Sequence, residues 1–429
     1  MLILLALFVL ENNGVLSSPL ARAVDDTCID IHKCRTLYGI VWSCITTIFA
    51  CIWVSVHPNM PPLPIENTSP QKKRGRLHWL VHLWHETSGI RRRLKMMLVA
   101  LIAPEIMVGF AVRQWLSAHT ISRKYRVSLT HGFFYSMGGF VDEEGQPIIT
   151  EDRLIAAIDA VRAVPVSDIQ DKSKRDALAK LVAVAQILRV IGQSITRLKQ
   201  QLAITLLEIA TVAYAVVTIF IWLFWMNKPL DAQKPIIIQL LVPQGSPPPP
   251  SMTREAQTST VNLPSMPSWI PPTVRRFIAV SLGAYDLNYD GKHIPAFFSP
   301  LSQSSSRLHQ IIALFVQCIF AFIFGGIHCM AWNTVFPTIF EKWAWRSCAV
   351  AVTVAPSAGF SFGVSKVADR FGTHVPDWLK TIIVAWFYLS IPIYLISRDF
   401  LLVLPFTALR SVHSDVFCEV EWGKYIPHL

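Results

Sequence analysis

Glu105 is an acid placed where an acid is costly. It follows Pro104 near the middle of the apolar run Leu94–Trp115. A charged side chain at that depth in lipid costs roughly 3 kcal/mol on insertion scales. Glu105 is therefore expected to be neutral or to face a polar interior. Pro104 frees a backbone carbonyl nearby, which could accept the Glu105 proton. Two roles fit: a proton donor or coordinating group, or a hydrogen bond that packs two helices. Glu208 is the weaker candidate, because it lies near a span end and can reach the interface.

His78, His82 and His85 form a second constellation, with Glu86 adjacent. Their spacing puts three imidazoles on one helix face, which could hold a metal. Membrane di-iron oxidases use histidine boxes of loosely similar spacing but need further boxes, and His119, His131 and His328 stand alone here. The segment LHWLVHLWHETS (77–88) also has the profile of an aromatic helix lying among lipid headgroups. Asp286, Asn288, Asp290 and Gly291 begin like a calcium loop, but the twelfth position is Phe297, where a bidentate Glu is required. A polar turn explains those residues. There is no G-x-S-x-G, H-E-x-x-H or phosphate-binding loop. No metal or other cofactor is expected.

The elements that would position these residues are membrane helices. Of 429 residues, 52% are hydrophobic and 16% charged, and the mean hydropathy is +0.42. Soluble domains carry about 25% charge, so the surplus apolar surface must meet lipid. The net charge of +11 does not indicate nucleic acid, since the basic residues cluster beside apolar runs as in cytoplasmic loops.

Residues 1–23 read as a signal peptide, with an apolar run at 2–10 and an A-x-A pattern at Ala21 and Ala23. A short lumenal segment, 24–37, follows. It holds Cys28 and Cys34, either a small disulfide loop or two free thiols. Spans are predicted near 38–56, 94–115, 177–198 and 204–226, then a proline-rich loop over 227–308, then spans near 311–332, 345–364 and 379–396. The run 400–409 is too short to cross alone, and is expected to re-enter or lie on the surface. The 177–198 segment contains Lys180, Gln186, Arg189 and Arg197. It is read as a span whose Lys180 and Arg197 snorkel, against an amphipathic surface helix. The fold class is all-α: a multi-pass bundle of about seven spans after the signal peptide.

Basic clusters at Lys72–Arg76 and Arg91–Lys95 put residues 58–93 in the cytoplasm. The mature N-terminus is then lumenal, the C-terminus cytoplasmic, and the sequon at Asn67 unused. The expected location is a secretory-pathway membrane, endoplasmic reticulum or plasma membrane.

Several phrases occur together and in order: CRTLYGIVWSCITTIFACIWVSVHPN (34–59), RRRLKMMLVALIAPE (91–105), LTHGFFYSMGGF (129–140), FWMNKPLD (224–231) and WGKYIPHL (422–429). They resemble a large family of uncharacterised fungal multi-pass membrane proteins. The resemblance implies the membrane class and a fungal source, and carries no mechanism.

Three function classes remain. A transporter or binding protein would hold an apolar small molecule at a central cavity beside Glu105. A membrane-embedded enzyme on a lipid or isoprenoid-like substrate would use Glu105 as acid, with Trp222 and Trp225 lining the pocket. A receptor or scaffold is permitted by the span count. The expected partners are the lipid bilayer and an apolar small molecule, not nucleic acid.

Overall fold

The computed structural model describes residues 35–61, 88–171, 177–229, 232, 234–239, 275, 294, 297–299, 306–373, 375–412 and 414–420. His78, His82 and His85, the Cys28–Cys34 segment, Asn67 and the Asp286–Gly291 turn all lie outside them.

The chain is an all-α bundle. α1 (Leu37–Ser55) shows why its sequence makes such a helix. Thr36 caps it by accepting the Gly39 N–H at 3.1 Å. Ile40, Cys44, Thr47 and Cys51 recur at helical spacing and are buried. Tyr38, Trp42, Phe49 and Trp53 recur on another face and are exposed. A helix apolar on its outer face as well is suited to lipid.

α2 (Ser88–Ile102) and α3 (Pro104–Tyr125) follow, joined at Ala103 with a bend of 116°. Then come α4 (Leu129–Ser136), α5 (Glu151–Ala163) and α6 (Val166–Asp171). They share a small core of Phe134, Phe140, Leu154, Val161 and Ile169. Two-residue strands close this cap, β1 (Phe140–Val141) pairing in parallel with β2 (Ile236–Ile237). α7 (Ala177–Lys199) and α8 (Leu206–Phe224) form the next pair. α9 (Ser306–Cys329), α10 (Ile339–Val354), α11 (Pro356–Arg370) and α12 (Asp377–Thr407) complete the bundle.

Among the described residues, six segments are long and apolar enough to cross a membrane: α1, most of α7, α8, α9, α10 with α11, and α12. α8 is the central helix, with 78% of its apolar window buried, against 17% for α12. The outer helices turn Leu188, Phe340, Trp343, Ile382, Leu389 and Val403 outward. Patches this large on a soluble monomer are rare. α9 and α10 approach closely at Gly325, where a Cβ would come within 2.5 Å of Thr353 Oγ1, the small-residue packing usual between membrane helices.

Contacts at the two ends of the bundle fix how the chain threads it. At the cap end, the Met60 N–H donates to Met137 O at 2.9 Å, and Gln114 Nε2 donates to Asn59 Oδ1 at 2.8 Å. α2 starts at this same end, where Arg92 Nη1 reaches Met60 O at 3.2 Å and the Arg93 guanidinium lies 3.8 Å from the Trp53 ring centre. α2 and α3 therefore enter and leave by the cap end, with their bend at mid-depth. The single span predicted over 94–115 is a helix pair bent by 116° at Ala103, and the contacts of both arms with residues 59–60 favour a re-entrant hairpin over a broken span. At the opposite, tail end, the Arg35 N–H donates to Phe417 O at 2.8 Å. Residues 414–420 thus lie on the side of residue 35, where the sequence reading put the N-terminus and the C-terminus on opposite sides.

Two further segments differ from the sequence reading. The run 400–409 continues α12, so that one 31-residue helix covers the predicted 379–396 span and the run as far as Thr407, with a 3-10 turn over Ala408–Ser411 after it. Arg197 does not snorkel. It is fully buried and donates to the carbonyls of Ala203, Asp415, Val416 and Cys418, which pins the last described residues to the bundle.

Candidate functional site

The bend between α2 and α3 builds the site. Pro104 cannot continue the hydrogen-bond ladder of α2, so Leu101 and Ile102 present their carbonyls at the helix end. Arg398 of α12 covers them, Nε to Ile102 O at 2.6 Å and Nη2 to Leu101 O at 3.1 Å. Arg398 Nη2 also donates to Tyr214 Oη of α8 at 2.8 Å, and the Tyr214 hydroxyl donates to Leu101 O. The guanidinium lies 4.3 Å from the Phe324 ring centre of α9. A cation at the negative end of α2 complements its dipole, and Arg supplies the fork of donors that three acceptors need.

Glu105 stands in the first turn of α3, the positive end of that helix. Tyr394 Oη donates to Glu105 Oε1 at 2.5 Å. Arg398 supplies the positive charge felt by the carboxyl group. The freed carbonyls thus go to Arg398 and Tyr214, while Glu105 is held by Tyr394. Glu105 Oε2 is buried and has no hydrogen-bond partner.

Glu105 is one wall of a cavity of about 100 Å³. Its walls include Leu314, Gln317 and Cys318 of α9, Pro356 and Gly359 of α11, and Phe387, Ser390 and Tyr394 of α12. Pro356, Gly359, Ser390 and Tyr394 lie in the middle parts of their spans, which puts the cavity near mid-depth. Gln317 Oε1 is a second buried oxygen without a partner. It occupies the space over Gly109, where a Cβ would come within 2.1 Å of it. Any larger residue at 109 would displace Gln317.

Glu105 therefore faces a helix partner and a cavity at once. Trp222 and Trp225 do not line the cavity. Trp225 packs on Phe110 and His57 at the cap end, and Phe297 packs on Phe110 as well, with ring centres 5.3 Å apart. Glu208 closes a capping box with Thr205 and pairs with Arg35 at the tail end. His131 is a satisfied core histidine, between Ser128 Oγ at 2.6 Å and Val164 O at 2.9 Å. Among the described residues no cluster of His, Cys, Asp and Glu could hold a metal.

A second buried basic side chain lies at the cap end. Lys228 Nζ donates to His57 O and to Gln114 Oε1, both at 2.8 Å, and lies 4.1 Å from the Trp225 ring centre. Burial holds its pKa well below the ordinary lysine value. Lys228 ties the segments that follow α1 and α8 to the middle of α3, a structural role.

Six apolar spans with apolar outer faces, enclosing a polar centre at a broken helix, fit a multi-pass membrane protein. The chain belongs to a family of unknown function (DUF8562), which matches residues 3–244 and 272–429. No curated protein and no solved structure matches it.

Proposed function

We propose that this protein binds, within the bilayer, a small and mainly apolar molecule carrying a hydroxyl group, as a transporter or binding protein does. The observation that carries this reading is a cavity two of whose wall residues, Glu105 and Gln317, each keep a buried oxygen without a hydrogen-bond partner. Leaving a buried acceptor unmatched costs about 1–3 kcal/mol. A hydroxyl both donates and accepts, so it matches Glu105 in either protonation state. Helices broken at mid-depth, with their ends turned toward a site, are a recurring construction for binding in transporters.

The cavity suits a few carbons and a polar head; pockets for drug-sized ligands run to about 300–1,000 Å³. Thermal unfolding of the purified protein in detergent tests the reading. Straight-chain alcohols from butanol to octanol should raise the midpoint more than alkanes of equal length. The preference should correspond to about tenfold in affinity, near 1.4 kcal/mol, and vanish in Glu105→Leu. Equal effects of alcohol and alkane on the wild type would refute it.

The Arg91–Lys95 cluster at the cap end supports a cytoplasmic cap in a secretory-pathway membrane, with residue 35 on the lumenal side.

A further inference from the structure

A second void of about 430 Å³ lies on the outer face of the bundle, between α10 and α12. Its walls include Trp332, Trp343, Arg346, Val350, Trp386 and Ile393. Trp343, Val350 and Ile393 are exposed, so the groove opens sideways, toward lipid. Arg346 stands near the tail end. Its Nε and Nη2 both donate to Trp332 O, at 2.9 and 2.6 Å. That fixes the guanidinium plane and leaves Nη1 uncommitted. Trp332 and Trp343 flank it, with ring centres 4.9 and 5.6 Å from the guanidinium carbon. No carboxylate among the described residues pairs with Arg346; nearby Glu341 pairs with Arg410 instead.

We infer that this groove seats one phospholipid of the tail-end leaflet, its phosphate on Arg346 and one acyl chain along α10. The dimensions favour this occupant. From Arg346 to Ala355, the deep end of the groove, is nine helical residues or about 14 Å. Half of a bilayer core is about 15 Å. A partner helix about 10 Å across would need roughly 1,000 Å³ over that length, more than the groove offers. Arginine flanked by tryptophan is also the chemistry of the headgroup level, where an anionic phosphate and the top of the apolar layer meet. At its deep end the groove shares Ala355 and Ser390 with the Glu105 cavity, so the chain terminus rests against that wall. The inference stands independently of what the cavity binds.

The test is phospholipid retention. The full chain is reconstituted into phosphatidylglycerol–phosphatidylcholine vesicles and re-extracted in mild detergent, and bound phospholipid is counted by native mass spectrometry. The wild type should retain a tightly held phospholipid. Arg346→Gln should lower retention about fivefold, the effect of one basic residue at a lipid surface, and Arg346→Lys should restore most of it. Ala351→Phe, which fills the groove and leaves the charge, should lower retention as well. If Ala351→Phe does not fold, the two Arg346 variants decide. Unchanged retention in Arg346→Gln would overturn the phosphate seat, and unchanged retention in a folded Ala351→Phe would overturn the chain seat. Changes at Glu105 should leave retention untouched.

Discussion

Tyr394 on α12 holds Glu105 at the start of α3 through a 2.5 Å hydrogen bond, across 289 residues of chain. One carboxyl oxygen is thereby fixed, and the other is buried without a hydrogen-bond partner. Tyr394→Phe should remove only the donor. Bonds between membrane helices average about 0.6 kcal/mol, but stranding a buried acidic acceptor should raise the loss to about 1–2 kcal/mol. Unfolding midpoints in detergent measure it. In Tyr394→Phe/Glu105→Leu the acceptor is gone, and the two losses should be less than additive. Full additivity would mean the two side chains do not interact.

Arg398 should matter more to stability than Glu105. Its guanidinium serves two carbonyls at the α2 end and the Tyr214 hydroxyl. Arg398→Met should cost about 3–5 kcal/mol, the range for breaking a buried charged network, and lower the yield of folded protein. Arg398→Lys should rescue little of it, because a single ammonium cannot span those acceptors. Wild-type stability in Arg398→Lys would contradict the fork geometry.

The re-entrant hairpin has a direct topological consequence. Cysteines introduced at Gly89 and Glu144, both exposed, should react with a membrane-impermeant thiol reagent from one side of sealed vesicles. A cysteine at Val335, 60% exposed at the tail end, should react only from the other. Gly89 and Glu144 reacting from opposite faces would restore a conventional span between them.

The all-α class and most apolar segments were legible in the sequence because apolar length is a strong signal. The turn at Ala103 was not. Pro104 marks a break in the ladder, yet a proline inside an apolar run can equally kink a continuous span. What decides is that both arms meet residues 59–60, a tertiary fact. Glu105 stood out as an isolated acid, but its partners did not. Tyr394, Tyr214 and Arg398 lie more than 100 positions away, and no local spacing links them. Arg398 was visible only as a charge between the runs 379–396 and 400–409, where it looked like a boundary. Lys228 likewise looked like the stop of a span, and only the packing of α1, α3 and α8 buries it.

Lys228 gives a prediction in pH. Its folded pKa is lowered by burial, while the unfolded value is about 10.4. Between the two, the unfolded chain binds a proton that the folded chain does not, so stability rises with pH there. The contribution is lost as pH falls through the lowered folded value. The stability of wild type relative to Lys228→Met should therefore grow from neutral pH toward about pH 10. At neutral pH, Lys228→Met should still lower stability by about 1–3 kcal/mol, since His57 O and Gln114 Oε1 lose their donor. A pH-independent difference would mean that Lys228 is not desolvated.

Infrared difference spectroscopy on the reconstituted protein tests the central claim most directly, because it watches the Glu105 carboxyl group itself. Spectra are taken with and without the alcohol that most raises the unfolding midpoint. Binding should shift a carboxyl band in the wild type, and the shift should be absent in Glu105→Gln while helical content stays the same. A wild-type spectrum whose carboxyl bands do not move, or the same movement in Glu105→Gln, would contradict a ligand site at Glu105.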